Sequence, residues 1–172
     1  SHIHIREPGG STTSEKIRKL ILNNNSNFNS TTDLLLYLAA RNENIETILK
    51  KNHRKKIILI DRFIDSTIAY QHYGMGVNLK FINLINQFII KNIEVDFTFL
   101  NLVNKENMKT RLLKRKKLNR YDQFNNLFYS KVQSGFIKIA NKKSSKYLKI
   151  DSNKEIDVNK HIIISKIEEL IK

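Results

Sequence analysis

Asp61 and Arg62 set a carboxylate beside a guanidinium directly after four branched aliphatic residues, 57–60. Such a run reads as a short strand buried on both faces, the kind that a helix-covered parallel sheet requires. Open α/β sheets bind ligands in the crevice beyond the carboxyl ends of their strands, which puts Arg62 at a site. Its planar guanidinium can hold two phosphate oxygens at once. Asp65, Ser66 and Thr67 follow as a natural helix start, because a short oxygen-bearing side chain accepts the free N–H groups of a first turn. Exposed N–H groups at such a start attract anions. Tyr70 and Gln71 fall on the first turns of this helix, and Gly74 and Gly76 break it.

As a block, Asp61-Arg62-x-x-Asp65-Ser66-Thr67-x-Ala69-Tyr70-Gln71 resembles the signature of bacterial thymidylate kinases. Upstream, Arg6-Glu7-Pro8-Gly9-Gly10-Ser11 is similar to a second motif of that family and stands in the expected order. Taken alone, this stretch reads equally as a plain strand-to-helix turn. Its proline fixes φ, and its glycines let the backbone come close to something bulky. Between the two blocks, Leu34-Leu35-Leu36-Tyr37-x-Ala39-Ala40-Arg41 resembles the family's base-binding helix, where the aromatic is usually Phe. Tyr37 and Arg41 are four residues apart and share a helix face. An aromatic there can stack on a planar base while the arginine donates to its carbonyl. On an anonymous helix the same pair reads as a half-buried tyrosine with an arginine reaching out to water. The Tyr37 hydroxyl needs a partner in either case.

Residues 106–122 carry Arg111, the basic run 114–117, and then Asn119-Arg120-Tyr121-Asp122. Such runs are usually solvated, and a nucleic-acid patch is the functional reading that charge alone suggests, though without interleaved stacking aromatics. The resemblance implies instead a mobile lid around 114–122, with Arg120 first and Arg115 second closing on the phosphates. Arginine delivered to a transferring phosphoryl group is worth ~10³-fold or more in rate. Asn119 and Asp122 depart from the family's usual Asp-Arg-x-Glu. By the same resemblance Asp151 would lie near the adenine of a bound nucleotide, while Asp151-Ser152 reads equally as a cap for a last helix.

The activity implied is transfer of the γ-phosphoryl of ATP onto dTMP to give dTDP, with Mg²⁺ present but no ligand for it assigned. Arg62 would hold the dTMP phosphate, Asp61 would organise the metal and donor phosphates, and Tyr37 and Arg41 would grip thymine. Glu7 and Pro8 would border the sugar, and Ser66, Thr67, Tyr70 and Gln71 would complete the acceptor pocket. A cytoplasmic homodimer is implied as well. The rival readings are another nucleoside monophosphate kinase on the same scaffold and a basic nucleic-acid-binding module.

The elements that must position these residues alternate. Strands are expected at 1–5, 57–60, 97–103 and 147–150, with amphipathic helices between and after them. That order predicts an α/β fold, a doubly wound parallel β-sheet flanked by helices, of the P-loop NTPase type by resemblance. Thr12 with Glu15 offers a capping box for the first helix, and Thr31 or Thr32 a cap for the second. In the helix at 81–89, Phe81, Ile82, Leu84, Ile85, Phe88 and Ile89 mark an apolar stripe. The 172 residues suit one domain. A net charge of +15 favours phosphate-bearing partners, although lysines scattered over helix surfaces account for much of it. There is no cysteine, which suits a reducing cytoplasm, and no apolar run approaches the ~18 residues of a membrane span. The phosphate-cradling pattern G-x-x-x-x-G-K-[ST] is absent. In the family that loop follows the strand before the one beginning here. The expectation is therefore an N-terminally truncated chain, short by roughly 30 or more residues, one βα unit, and with little or no kinase activity on its own.

Overall fold

β1 (His2–Arg6) and β2 (Ile57–Asp61) pair in parallel, with Ile5 opposite Ile60 and Arg6 opposite Asp61. Parallel neighbours need a long crossover. Here it is α1 (Thr12–Leu22), α2 (Ser30–Asn44), a π-helical stretch Ile45–Leu49 and the single turn α3 (Lys50–Asn52). The computed structural model describes residues 1–171, which divide into two compact units. The first comprises Ser1–Glu94 and Asn119–Ile137, the second Val95–Leu118 and the residues from Lys138 on.

In the first unit, Leu34, Leu38, Ile45 and Leu49 pack with Ile5, Val77, Ile82 and Ile89 into one core. β2 is not buried on both faces as its composition suggested. Ile58 and Ile60 join the core, whereas Ile57 and Leu59 are each 42% exposed. The reason is the alternation of a strand: successive side chains point to opposite faces, and one face alone meets the helices. Helix starts also fall slightly away from the expected positions. α1 is capped by Ser11, whose hydroxyl accepts from the Ser14 amide, and Glu15 turns to the Gly10 amide and Arg6 instead. α2 is capped by Asn29 rather than by either threonine. α4 (Ile64–Thr67) begins at Ile64 after Phe63 with no side-chain cap, so Asp65, Ser66 and Thr67 lie inside the turn they were expected to open. It runs on into a π-helix, Ile68–Gly74, that carries Tyr70 and Gln71.

α5 (Leu79–Ile90) shows the same economy as β2. It buries Ile82, Ile89 and Ile90, but Phe81, Leu84 and Phe88 are 38%, 65% and 76% exposed. Its apolar residues cover more of the cylinder than a single contact face can use.

In the second unit, β3 (Thr98–Leu102) pairs in parallel with β4 (Tyr147–Asp151), Phe99 opposite Leu148. α6 (Lys105–Leu113) belongs to it. α7 (Asn126–Lys142) has its first part in the first unit, where Phe128 and Val132 pack against Ala69. α8 (Ile156–Leu170) lies in the second unit and has no fully buried residue. Among the described residues the strands thus form two parallel ladders, β1–β2 and β3–β4, with helices in every crossover. No helix among them is long and apolar enough to cross a membrane.

Candidate active site

The loop leaving β1 is shaped by backbone first. The Glu7 amide donates to the Asp61 carbonyl at 2.8 Å, tying the ends of the two strands together. Gly9 and Gly10 follow with φ of 114° and 111°, values that side chains rarely tolerate. Asn44 clamps them: its Nδ2 donates to the Gly9 carbonyl at 2.6 Å and its Oδ1 accepts from the Ser11 amide at 3.0 Å. A methyl added to Gly10 would stand 2.9 Å from that Oδ1. Ser14 bonds both polar groups of the Gly9 backbone, and Arg18 donates to the Pro8 carbonyl at 2.6 Å. The loop is therefore presented by α1 and α2 as a fixed object, with Pro8 held by its carbonyl.

Beneath it, Glu7 and Arg41 form a buried ion pair, Arg41 Nε to Glu7 Oε2 at 2.8 Å. Arg41 is 1% exposed; its Nη1 donates to Asn86 Oδ1 at 2.7 Å, and its guanidinium lies 5.0 Å from the Phe63 ring centre. Burial pushes the Glu7 carboxyl above its usual range, while Arg41 and Asn44 pull it back without cancelling the effect. Arg41 was expected to face a base jointly with Tyr37. In the structure two of its nitrogens are committed to protein partners across the core, and Asn86, which no motif flagged, is one of them.

Arg62 directly follows β2 at a φ of 66°, a left-handed conformation unusual for a long side chain. Its guanidinium sits 5.2 Å from the Tyr70 ring centre. Arg62 is exposed as a residue; desolvation around its guanidinium disfavours the charge, but Tyr70, Tyr37 and Asp61 outweigh this and raise its pKa. Tyr37 is itself pushed up to about 12, chiefly by burial. Its hydroxyl finds the partner it needed in Tyr121, whose ring meets its own edge to face at 5.9 Å. Thr67 is 1% exposed with a buried hydroxyl that has no hydrogen-bond partner. Ser66 is half-buried one residue earlier, and Asp61 is exposed beside Arg62. Glu7, Tyr37, Arg41, Arg62, Tyr70 and Gln71 thus gather in the first unit around the ends of β1 and β2.

Sequence reasoning missed Asp33. It is 1% exposed and accepts from the Arg120 guanidinium, the Tyr121 hydroxyl and, at 3.1 Å, the Gln71 Nε2. Arg120, expected in a mobile lid, is here ion-paired to this carboxylate and flanked by the rings of Phe28 and Tyr121. Asn119 and Asp122 close a capping box around the one-turn helix Arg120–Gln123. Their departure from the family pattern thus leaves a locally sound turn. The only advance signal for Asp33 was a carboxylate immediately before a run of leucines.

In the second unit, Arg115 is exposed in the stretch after α6. Asp151 closes β4, where its Oδ1 accepts from both the Asn153 amide and its side chain, which holds its pKa low. Glu155, not Asp151 or Ser152, precedes α8.

Parallel strands joined by helical crossovers, with Glu7, Asp61 and Arg62 at adjoining strand ends, form the arrangement in which α/β enzymes bind their ligands. The comparisons are more particular. The thymidylate kinase family model matches residues 2–163. A thymidylate kinase of Staphylococcus epidermidis is 36% identical over 154 residues, 88% of this chain and 75% of that protein. One from Thermosipho africanus is 35% identical over 157 residues, 90% of this chain and 77% of its own length. The crystal structure of thymidylate kinase from Ehrlichia chaffeensis superposes with a TM-score of 0.76 at 31% identity, covering 97% of this chain and 80% of that one. The chain belongs to the thymidylate kinase family and is an α/β kinase of P-loop NTPase type.

Proposed function

We propose that this chain binds dTMP at the ends of β1 and β2 and accepts onto it the γ-phosphoryl of ATP, giving dTDP. The observation that carries the reading is Arg62: a guanidinium in a left-handed backbone, poised over Tyr70 and electrostatically coupled to Tyr37. It supplies a fixed positive charge next to aromatic surface, the pairing that a nucleotide's phosphate and base require. The buried polar atoms without partners point the same way. Glu7 Oε1, Thr67 Oγ1, Gln71 Oε1 and Asn86 Nδ2 are all unsatisfied, and buried groups of this kind are usually completed by a ligand or water.

In this reading Arg62 holds the dTMP phosphate, Tyr37 and Tyr70 border the base and sugar, and Glu7 with Pro8 forms the wall below the sugar. Ser66, Thr67 and Gln71 offer hydroxyl and amide groups. Arg41 acts from behind the base, holding Glu7 and Asn86 in place. For Arg120 to reach the transferring group it must leave Asp33. Arg115 would follow from the same stretch, and Asp151 would meet the adenine of ATP. Asp61 fits Mg²⁺: it is an exposed carboxylate beside the phosphate-binding arginine, and Mg²⁺ is usually held by one or two carboxylates plus phosphate oxygens. When bound, the ion would neutralise charge on the donor phosphates. The family match runs through both units, which supports reading them as one catalytic domain. Exposed Leu84 and Phe88 support a second copy of the chain as partner, and the absence of cysteine suits a cytoplasmic setting.

Titration calorimetry with dTMP, dCMP and AMP tests this. dTMP should bind most tightly, and Arg62→Ala should weaken it roughly 30-fold, the equivalent of ~2 kcal/mol. Preference for dCMP or AMP would overturn the substrate. Salt-sensitive binding to DNA with indifference to dTMP would overturn the class.

A further inference from the structure

Arg120 is tied down from several directions, all within the first unit. Its guanidinium pairs with the Asp33 carboxylate, whose side chain is 1% exposed, and only 12% of the arginine side chain itself meets water. The Phe28 and Tyr121 ring centres lie 5.2 Å and 5.0 Å from the same guanidinium. Asn119 and Asp122 cap the one-turn helix that carries it. The Tyr129 hydroxyl holds that turn to α7 by donating to the Tyr121 carbonyl at 2.7 Å. The unit that contains β1 and β2 resumes at Asn119, whereas Arg115 belongs to the other unit.

A role in phosphoryl transfer requires Arg120 to leave Asp33. The carboxylate would then keep two neutral donors, the Tyr121 hydroxyl and Gln71 Nε2, but lose its counter-charge. Parting a buried ion pair is far costlier than parting an exposed one, and a conformer with this pair broken is disfavoured by roughly a hundredfold or more. What the pair does in place is visible in Tyr121. Asp33 accepts from its hydroxyl, and its ring meets Tyr37 and Tyr70 edge to face at 5.9 Å and 5.8 Å. Tyr70 in turn carries the Arg62 guanidinium 5.2 Å from its ring centre.

We propose that Arg120 is a fixed positioning residue on the acceptor side: with Asp33 it seats Tyr121 behind Tyr37 and Tyr70, and it does not travel to the transferring phosphoryl group. The inference rests on the dTMP-binding reading above and narrows it, leaving any closing role to Arg115. Arg120 need not touch the nucleotide. It neutralises the carboxylate that orients Tyr121, so its charge matters more than its reach.

The test measures dissociation constants of the full chain for dTMP with no ATP present, a condition under which an arginine that serves only the donor side has no effect. Arg120→Gln removes the counter-charge and should weaken dTMP about tenfold or more. Arg120→Lys keeps the charge beside Asp33 and should stay within about threefold of the native affinity. If Arg120→Gln lowers the melting temperature but binds dTMP as the native chain does, the residue is merely structural and the proposal is overturned. A lysine variant as weak as the glutamine one would overturn it too, because charge would not be what Arg120 supplies. Should Arg120→Gln fail to fold, Tyr121→Phe decides. It leaves the ion pair intact and removes only the hydroxyl through which Asp33 acts, so dTMP should bind about threefold or more weakly. Unchanged affinity there would overturn the proposal. A native chain that does not bind dTMP at all would instead sink the functional reading.

Discussion

Glu7 and Asp151 each stand at the carboxyl end of a parallel strand, one just past β1 and the other closing β4, yet their environments are opposite. Glu7 is 4% exposed, paired to Arg41 and shifted upward by burial. Asp151 is exposed and shifted downward by hydrogen bonds from Asn153. The same topological position thus produces a buried charge that depends wholly on its partner in one case and a solvated turn in the other. A strand end offers a place for chemistry, but whether charge there is costly is set by what the surrounding helices cover. α1 and α2 cover the first, whereas the carboxylate of the second is dressed by the Asn153 turn and left in water.

The comparison breaks most visibly if Arg41 is removed. Arg41→Met leaves Glu7 buried without its counter-ion and should cost about 3–5 kcal/mol of stability, read from urea unfolding midpoints. Glu7→Gln in the same background should restore part of the loss. A cost below about 1 kcal/mol would mean that the pair is not the constraint inferred here. The loop above the pair gives the next largest effect. Gly10→Ala forces a β-carbon into a φ of 111° and against Asn44 Oδ1 at 2.9 Å, and should cost about 1–3 kcal/mol by the same measurement. Equal stability would show that Asn44 moves aside freely.

Glu7 also sets a pH dependence of definite sign. Its folded pKa lies above the ordinary 4.5, so as pH rises past 4.5 the unfolded chain releases this proton before the folded one does. The unfolded state then binds fewer protons, and stability falls with rising pH until the folded group ionises. Glu7→Gln should flatten that decline above pH 4.5 in thermal melts. An unchanged slope would assign the decline to other groups.

The motif residues were legible because their chemistry is concentrated: an arginine after an aliphatic run, a Glu-Pro-Gly-Gly loop and an aromatic one turn from an arginine. The structure gathers these around one pair of strand ends. What holds them was not legible. Asn86 meets Arg41 from 45 residues away and Tyr121 meets Asp33 from 88 away, and no local spacing encodes a contact of that range. Asn44 looks like one more polar residue on α2 until the loop it clamps is in place. Capping failed by a residue or two, since Ser11, Thr12 and Thr13 are chemically equivalent candidates and the tertiary position of Glu15 chose among them. The inward face of α5 was overread because its sequence is apolar nearly all round, so periodicity alone could not tell Ile82 from Leu84.

The smallest effect tests the other half of the comparison. With its folded pKa below the ordinary 3.8, Asp151 contributes stability at pH values above 3.8 and loses it as the pH falls through its folded value. The sign is thus opposite to that of Glu7, with loss on the acid side rather than toward neutrality. Asp151→Asn abolishes the titration while keeping an oxygen for the Asn153 donors, so the acid-side drop in melting temperature should be slightly shallower than in the native chain. Water screens an exposed carboxylate, and an exposed turn contributes little, so this change should be much smaller than that from Glu7→Gln. If the two substitutions alter their respective slopes equally, burial is not what separates the two strand ends.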